Sequence, residues 1–133
     1  MTIALMFTVV FAQARDEHTI TVHVENIKNN AGKINVGLYG SKSTWLNKIV
    51  KGARGEISDT GTSSVVLENV APGTYGISLY HDENDNDELD MRFGMFPKEA
   101  YGCSNQATGM FGPPKWEDAK FTVKGDKTIT IKL

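Results

Sequence analysis

"HTITVHVENIKNNAGKINVGLY", residues 18–39, alternates apolar and polar side chains on either side of a short polar break. Ile20, Val22 and Val24 are separated by Thr21 and His23, and Ile34, Val36 and Leu38 by Asn35 and Gly37. Successive side chains of an extended chain point to opposite faces, so a period of two gives each run one apolar face and one wet face. The spacing predicts two half-buried strands, 18–24 and 33–39. Between them, Asn29-Asn30-Ala31-Gly32 is turn chemistry and predicts a hairpin.

The pattern continues along the chain. "STWLNKIV" (43–50) breaks the alternation and suits one or two helical turns, and Arg54 to Ser58 reads as a short edge strand. "SSVVLENV" (63–70) leads through Ala71-Pro72-Gly73 into "TYGISLY" (74–80), where Tyr75, Ile77 and Leu79 face one way. "AKFTV" (119–123), a turn at Lys124-Gly125-Asp126 and "TITIKL" (128–133) close the series. About seven short strands with Gly, Pro and Asn turns predict an all-β fold, a two-sheet antiparallel β-sandwich, with a closed barrel as the alternative.

At 133 residues the chain is long enough for one domain with a real core and short for two. Hydrophobic residues at 40% and charged residues at 23% exclude disorder as the general state. A net charge of −2 leaves no basic footprint for nucleic acid. Ile3 to Phe11 is an almost unbroken apolar run followed by Ala12-Gln13-Ala14, a small-x-small cleavage pattern, so 1–14 reads as a signal peptide and 15–133 as the mature domain. No Lys or Arg precedes that run, and its alternative is a first buried strand. It falls short of the roughly 20 residues that span a bilayer, so stable membrane insertion after cleavage is not expected. The expected location is periplasmic or extracellular. Cys103, the single cysteine, has no partner within the chain and reads as a small buried apolar residue rather than a reactive thiol.

"HDENDNDELD" (81–90) carries Asp82, Glu83, Asp85, Asp87, Glu88 and Asp90 with no Lys or Arg. These six acids outweigh the net charge of −2, so the rest of the chain is net positive and the acidity is local. Counting Asp82 as the first position, Asn84, Asn86 and Asp90 supply side-chain oxygens at the third, fifth and ninth, and Glu88 offers a carbonyl at the seventh. That spacing suits Ca2+, which takes six to eight oxygens, better than Mg2+, which demands octahedral geometry and keeps its waters. The sixth position is Asp87 rather than Gly, and the twelfth is Phe93 rather than a bidentate carboxylate, so water, Glu99 or Asp118 must complete the set. The alternative is a solvated acidic turn, against which stands repulsion of about 1 kcal/mol per close pair.

The segment 81–118 is far longer than an ordinary connection and holds Phe93, Phe96, Tyr101, Phe111 and Trp116. So much aromatic surface predicts an ordered excursion that packs across one end of the sandwich. Phe93, Phe96, Tyr101 and Trp116 are candidates either for that cap or for a platform that meets a glycan, peptide or partner protein. No catalytic constellation is recognisable: His81 beside Asp82 has no activated Ser or Cys to serve, and no His follows position 81 to complete a copper site with Cys103.

"NVAPGTYGISLYHDENDNDELD" (69–90) and "FGMFPKEAYGCSNQATGMFGPPKWEDAKF" (93–121) resemble the bacterial family DUF2141, with its Pro-Gly-x-Tyr turn, HDEN-N-G-LD loop, GYGFSN and FGPP runs. The chain departs from it in Asp87, where the family usually has Gly, and Cys103, where it usually has an aromatic residue. The resemblance implies export and a transthyretin-like or immunoglobulin-like sandwich, and brings no established activity. The combined expectation is an exported, non-catalytic, calcium-binding module of the cell envelope. The alternative is a small secreted hydrolase or carbohydrate-binding protein that uses 81–118 as its site.

Overall fold

A computed structural model describes residues 16–86, 91–92, 96–97, 99–109 and 112–133. The N-terminal apolar run therefore lies outside the described residues. Strands β1 (His18–Glu25), β2 (Lys33–Tyr39), β3 (Lys51–Gly55), β4 (Ser63–Val70) and β5 (Gly73–Asp82) are followed by the two-residue pair β6 (Met91–Arg92) and β7 (Phe96–Pro97). Then come β8 (Tyr101–Cys103), the one-turn helix α1 (Trp116–Ala119), β9 (Phe121–Val123) and β10 (Lys127–Lys132).

The strands form two principal sheets. One has the order β10-β1-β4; the other runs β3-β2-β5-β8, with β9 pairing the first residues of β5. The alternation read from sequence decides which face each strand buries. Ile20, Val22 and Val24 of β1, Val65 and Leu67 of β4 and Ile131 of β10 look inward from one layer. Ile34, Val36 and Leu38 of β2 and Ile77 and Leu79 of β5 meet them from the other. All are at most 4% exposed, so a dry core between two pleated layers supplies the main driving force.

The sandwich is the expected one, and the described strands do not close into a barrel. One pairing is parallel, β1 with β10 from Ile20↔Lys127 to Glu25↔Lys132. The predicted β1–β2 hairpin is not formed: the two strands lie in different sheets. Both present a full apolar face, which each buries by facing the other across the core rather than by lying side by side. The connection, with Asn26 at φ 61° and Gly32 at φ 66°, carries the chain from one layer to the other. Residues 42–47 make consecutive turns and 43–50 holds no regular helix, because Leu46 adopts φ 62°. The edge strand expected at 54–58 lies instead at Lys51–Gly55, and residues 56–58 are not in a strand. The first two residues of the 81–118 excursion belong to β5, and Tyr101–Cys103 returns to the sheet beside it.

Candidate functional site

Strand β5 delivers the acidic loop. His81 points inward and is fully buried; its Nε2 lies 2.6 Å from the Ala31 carbonyl oxygen, and Nδ1 has no partner among the described residues. Asp82, on the opposite face, is also fully buried. Its Oδ1 accepts the Asn86 backbone N–H at 3.1 Å, and its Oδ2 accepts the Asn35 amide at 3.2 Å. The Asp82 carbonyl accepts the Asp85 N–H at 3.2 Å, and Asp85 takes φ 52°, so the chain begins to curl immediately after the strand.

The next acids turn to neighbours. Glu83 receives Asn29 Nδ2 at 2.9 Å and pairs with Lys28 at 3.2 Å. The Asn29 hydrogen bond, with Lys28 behind it, holds the Glu83 carboxyl below the usual glutamate range against a smaller opposing effect of burial. Asp85 pairs with Arg54 of β3 at 3.5 Å. Glu99, 5% exposed, accepts the Glu83 N–H at 2.7 Å. Repulsion within the loop is thus offset partly by cations from the 26–32 connection and from β3, which sequence spacing did not indicate.

Of the expected calcium ligands, Asp82, Asn84 and Asn86 are described, with both asparagines exposed; Glu88 and Asp90 lie outside the described residues. Among the described residues no group of three His, Cys, Asp or Glu side chains is brought together. Glu99 does reach the loop. Asp118 does not: it follows Trp116 in α1, and Trp116 packs at Gly76, six residues along β5 from Asp82 and so about 20 Å away.

The aromatic candidates divide. Phe93 lies outside the described residues, and Phe96 is placed only as backbone of β7. Tyr101 is 42% exposed on β8, whereas Trp116 is 8% exposed. Trp45 sits 5.8 Å from Trp116 and 5.1 Å from Tyr39, ring centre to ring centre, both edge-on, and donates Nε1–H to the Pro114 carbonyl at 2.8 Å. A β-carbon on Gly76 would lie 2.9 Å from the Trp45 ring and 3.0 Å from the Trp116 ring. The bare backbone of β5 therefore forms the seat of a second, smaller aromatic core on the outer side of the sheet. Cys103, 2% exposed, is part of that side too; burial pushes its thiol up, against a weaker opposing hydrogen bond with Ser78.

Sequence reading passed over the outer face of this same sheet. Asn35, Gly37 and Tyr39 of β2, Gly52 and Arg54 of β3 and Ser78 and Tyr80 of β5 border an open hollow of about 520 Å³. Asn35 Nδ2 donates to the Tyr80 hydroxyl at 2.9 Å as well as to Asp82, joining the hollow to the base of the loop.

No curated protein and no solved structure matches the chain. A family model described as an uncharacterized protein conserved in bacteria, DUF2141, matches residues 22–132. That span takes in both sheets, the acidic loop and the aromatic seat, and the chain belongs to this family.

Proposed function

We propose that the protein is an exported, calcium-binding β-sandwich module without catalytic activity, in which the ion gathers the loop 82–90 at the end of β5. The observation that carries the reading is the division of the loop by parity. Glu83 and Asp85 are drawn aside by Lys28 and Arg54, while Asp82, the first ligand position, is held in place from below by Asn35 and by the Asn86 N–H. Asp82, Asn84, Asn86 and Asp90 would supply side-chain oxygens and Glu88 its carbonyl. A dissociation constant of about 10⁻⁴–10⁻³ M, usual for extracellular modules, fits a set with one or two carboxylates and several neutral donors. A non-catalytic role is supported by His81, which is fully buried with Nε2 engaged by Ala31 and so is removed from any substrate.

Thermal unfolding in EDTA and in rising Ca2+ tests this. A ligand specific for the folded state adds about 2.7 kcal/mol at 100 times its dissociation constant. Asn84→Ala and Asp90→Ala abolish the rise, and Asp87→Gly preserves or enlarges it. A midpoint unmoved by calcium removes the ion from the account. Export is checked separately by sequencing the N-terminus of periplasmic material, with cleavage expected after Ala14.

A further inference from the structure

The hollow on the outer face of the β3-β2-β5-β8 sheet has a floor and two walls that follow from strand register. Gly52, Gly37 and Ser78 stand opposite one another on three adjacent strands, so these positions add almost no side-chain bulk of their own, and the Ile49 side chain lies over the two glycines. One level along, Arg54, Asn35 and Tyr80 stand opposite one another in the same way and make a polar wall. Tyr39 forms the other wall and leans over the floor: a β-carbon on Gly37 would lie 3.2 Å from its ring and 3.3 Å from its hydroxyl. Ile49, 49% exposed, overhangs the Gly37–Gly52 end and adds an apolar edge.

The polar atoms are specific about what fits. The Tyr80 hydroxyl accepts the Asn35 amide at 2.9 Å, which leaves its own proton to be donated elsewhere. Neither the Tyr80 nor the Tyr39 hydroxyl donates to any acceptor among the described residues. Burial is the foremost cause raising both phenols, so they are neutral donor–acceptors at every physiological pH. A wholly apolar ligand would strand these hydroxyls. An anion is disfavoured because Arg54 is already paired with Asp85, and Asp82 lies next along the face. An extended peptide seeks unpaired main chain at a sheet edge, whereas β2 and β5, which carry most of the hollow, are paired on both sides. A ring with hydroxyls around its rim and C–H bonds on its faces satisfies the hydroxyls, the tyrosine rings and Ile49 together.

We propose that this hollow binds a neutral sugar, with a pyranose ring lying over Ser78 against the Ile49 side chain and its hydroxyls meeting Tyr39 and Tyr80. Its volume of about 520 Å³ is within the range of small-molecule sites. The site stands on the sheet rather than on the acidic loop, so it holds whether or not the loop takes calcium.

The test is a ¹H–¹⁵N NMR titration of the folded domain, in EDTA and in Ca2+, with neutral di- to tetrasaccharides of glucose, galactose, mannose and N-acetylglucosamine at millimolar concentration. At least one sugar is expected to shift the amides of Gly37, Gly52, Ser78 and Tyr80 in both buffers. Tyr80→Phe, which removes one hydroxyl, weakens that binding about fivefold or more. Gly52→Phe, which brings a ring from the exposed edge strand against Ile49 and into the hollow, abolishes it while the circular dichroism spectrum of the folded domain is retained. The proposal is overturned if no sugar shifts these amides, if tripeptides or inorganic phosphate shift them and sugars do not, or if both variants bind as the parent does.

Discussion

Gly32 has no room for a β-carbon: one built on its backbone would lie 1.8 Å from the Asp82 carbonyl oxygen, and its φ of +66° is one that L side chains rarely adopt. The 26–32 connection is thereby pressed against the base of the acidic loop, with the His81 ring fastened to Ala31 beside it. Gly32→Ala is expected to cost about 2–3 kcal/mol, the strain and the collision acting together, as read from urea unfolding. Glu83 on the same contact carries a pH signature. Its folded-state pKa is lowered by Asn29 and Lys28, so the stabilisation is present above the ordinary glutamate value and is lost as pH falls through the lower, folded value. Melting midpoints of the parent and of Glu83→Gln should differ at pH 7 and converge once acid protonates Glu83 in the folded protein. Equal midpoints at pH 7 would show that the pair with Lys28 contributes nothing, as some exposed pairs do.

At the scale of elements, the aromatic seat on β5 makes the clearest claim. Trp116, 8% exposed and edge-on to Trp45, fills the space that Gly76 leaves open, so Trp116→Ala is expected to destabilise by about 3–5 kcal/mol. A platform for a ligand would tolerate that change with folding intact, and circular dichroism melts separate the two outcomes. The strands themselves were readable because β1, β2, β4 and β10 each bury one face and β5 alternates buried Ile77 and Leu79 with half-buried Ser78 and Tyr80, and a half-buried strand writes its period of two into the sequence. Pairing was not readable. A short polar break joins strands side by side or face to face equally well, and only Gly32 against Asp82, with His81 against Ala31, shows that this one crosses between layers. The acidic loop announced itself by composition, yet its partners Lys28 and Arg54 are distant in sequence, and no spacing within the loop points to them. Asn35, Ser78 and Tyr80 occupied the wet positions of an alternation and read as solvent-facing; their hollow exists only through a three-strand register.

For the molecule as a whole, the question is what keeps two sheets closed along the side where β8 and β10 meet. Gly102 of β8 comes so near the other layer that a β-carbon there would stand 2.7 Å from the Ile131 side chain and 3.2 Å from Leu133. The approach is fastened by the Lys132 N–H, which donates to Gln106 Oε1 at 3.1 Å, while the end of β10 is held to β1 in its own sheet by the Leu133 N–H on the Glu25 carbonyl at 3.0 Å and by Asn26 Nδ2 on the Leu133 carbonyl. Ile131 is fully buried between these groups, and β10 is paired along its length with β1. Gly102→Val must therefore either drive Ile131 off its rotamer or part the layers, a cost of about 1–3 kcal/mol for overpacking. For a domain of this size, that corresponds to a fall in melting midpoint of about 4–12 °C. The double variant Gly102→Val with Ile131→Ala separates these alternatives. If the collision with Ile131 is the cause, the double variant is more stable than the sum of its single costs by 1 kcal/mol or more, whereas strict additivity would place the strain elsewhere on β8.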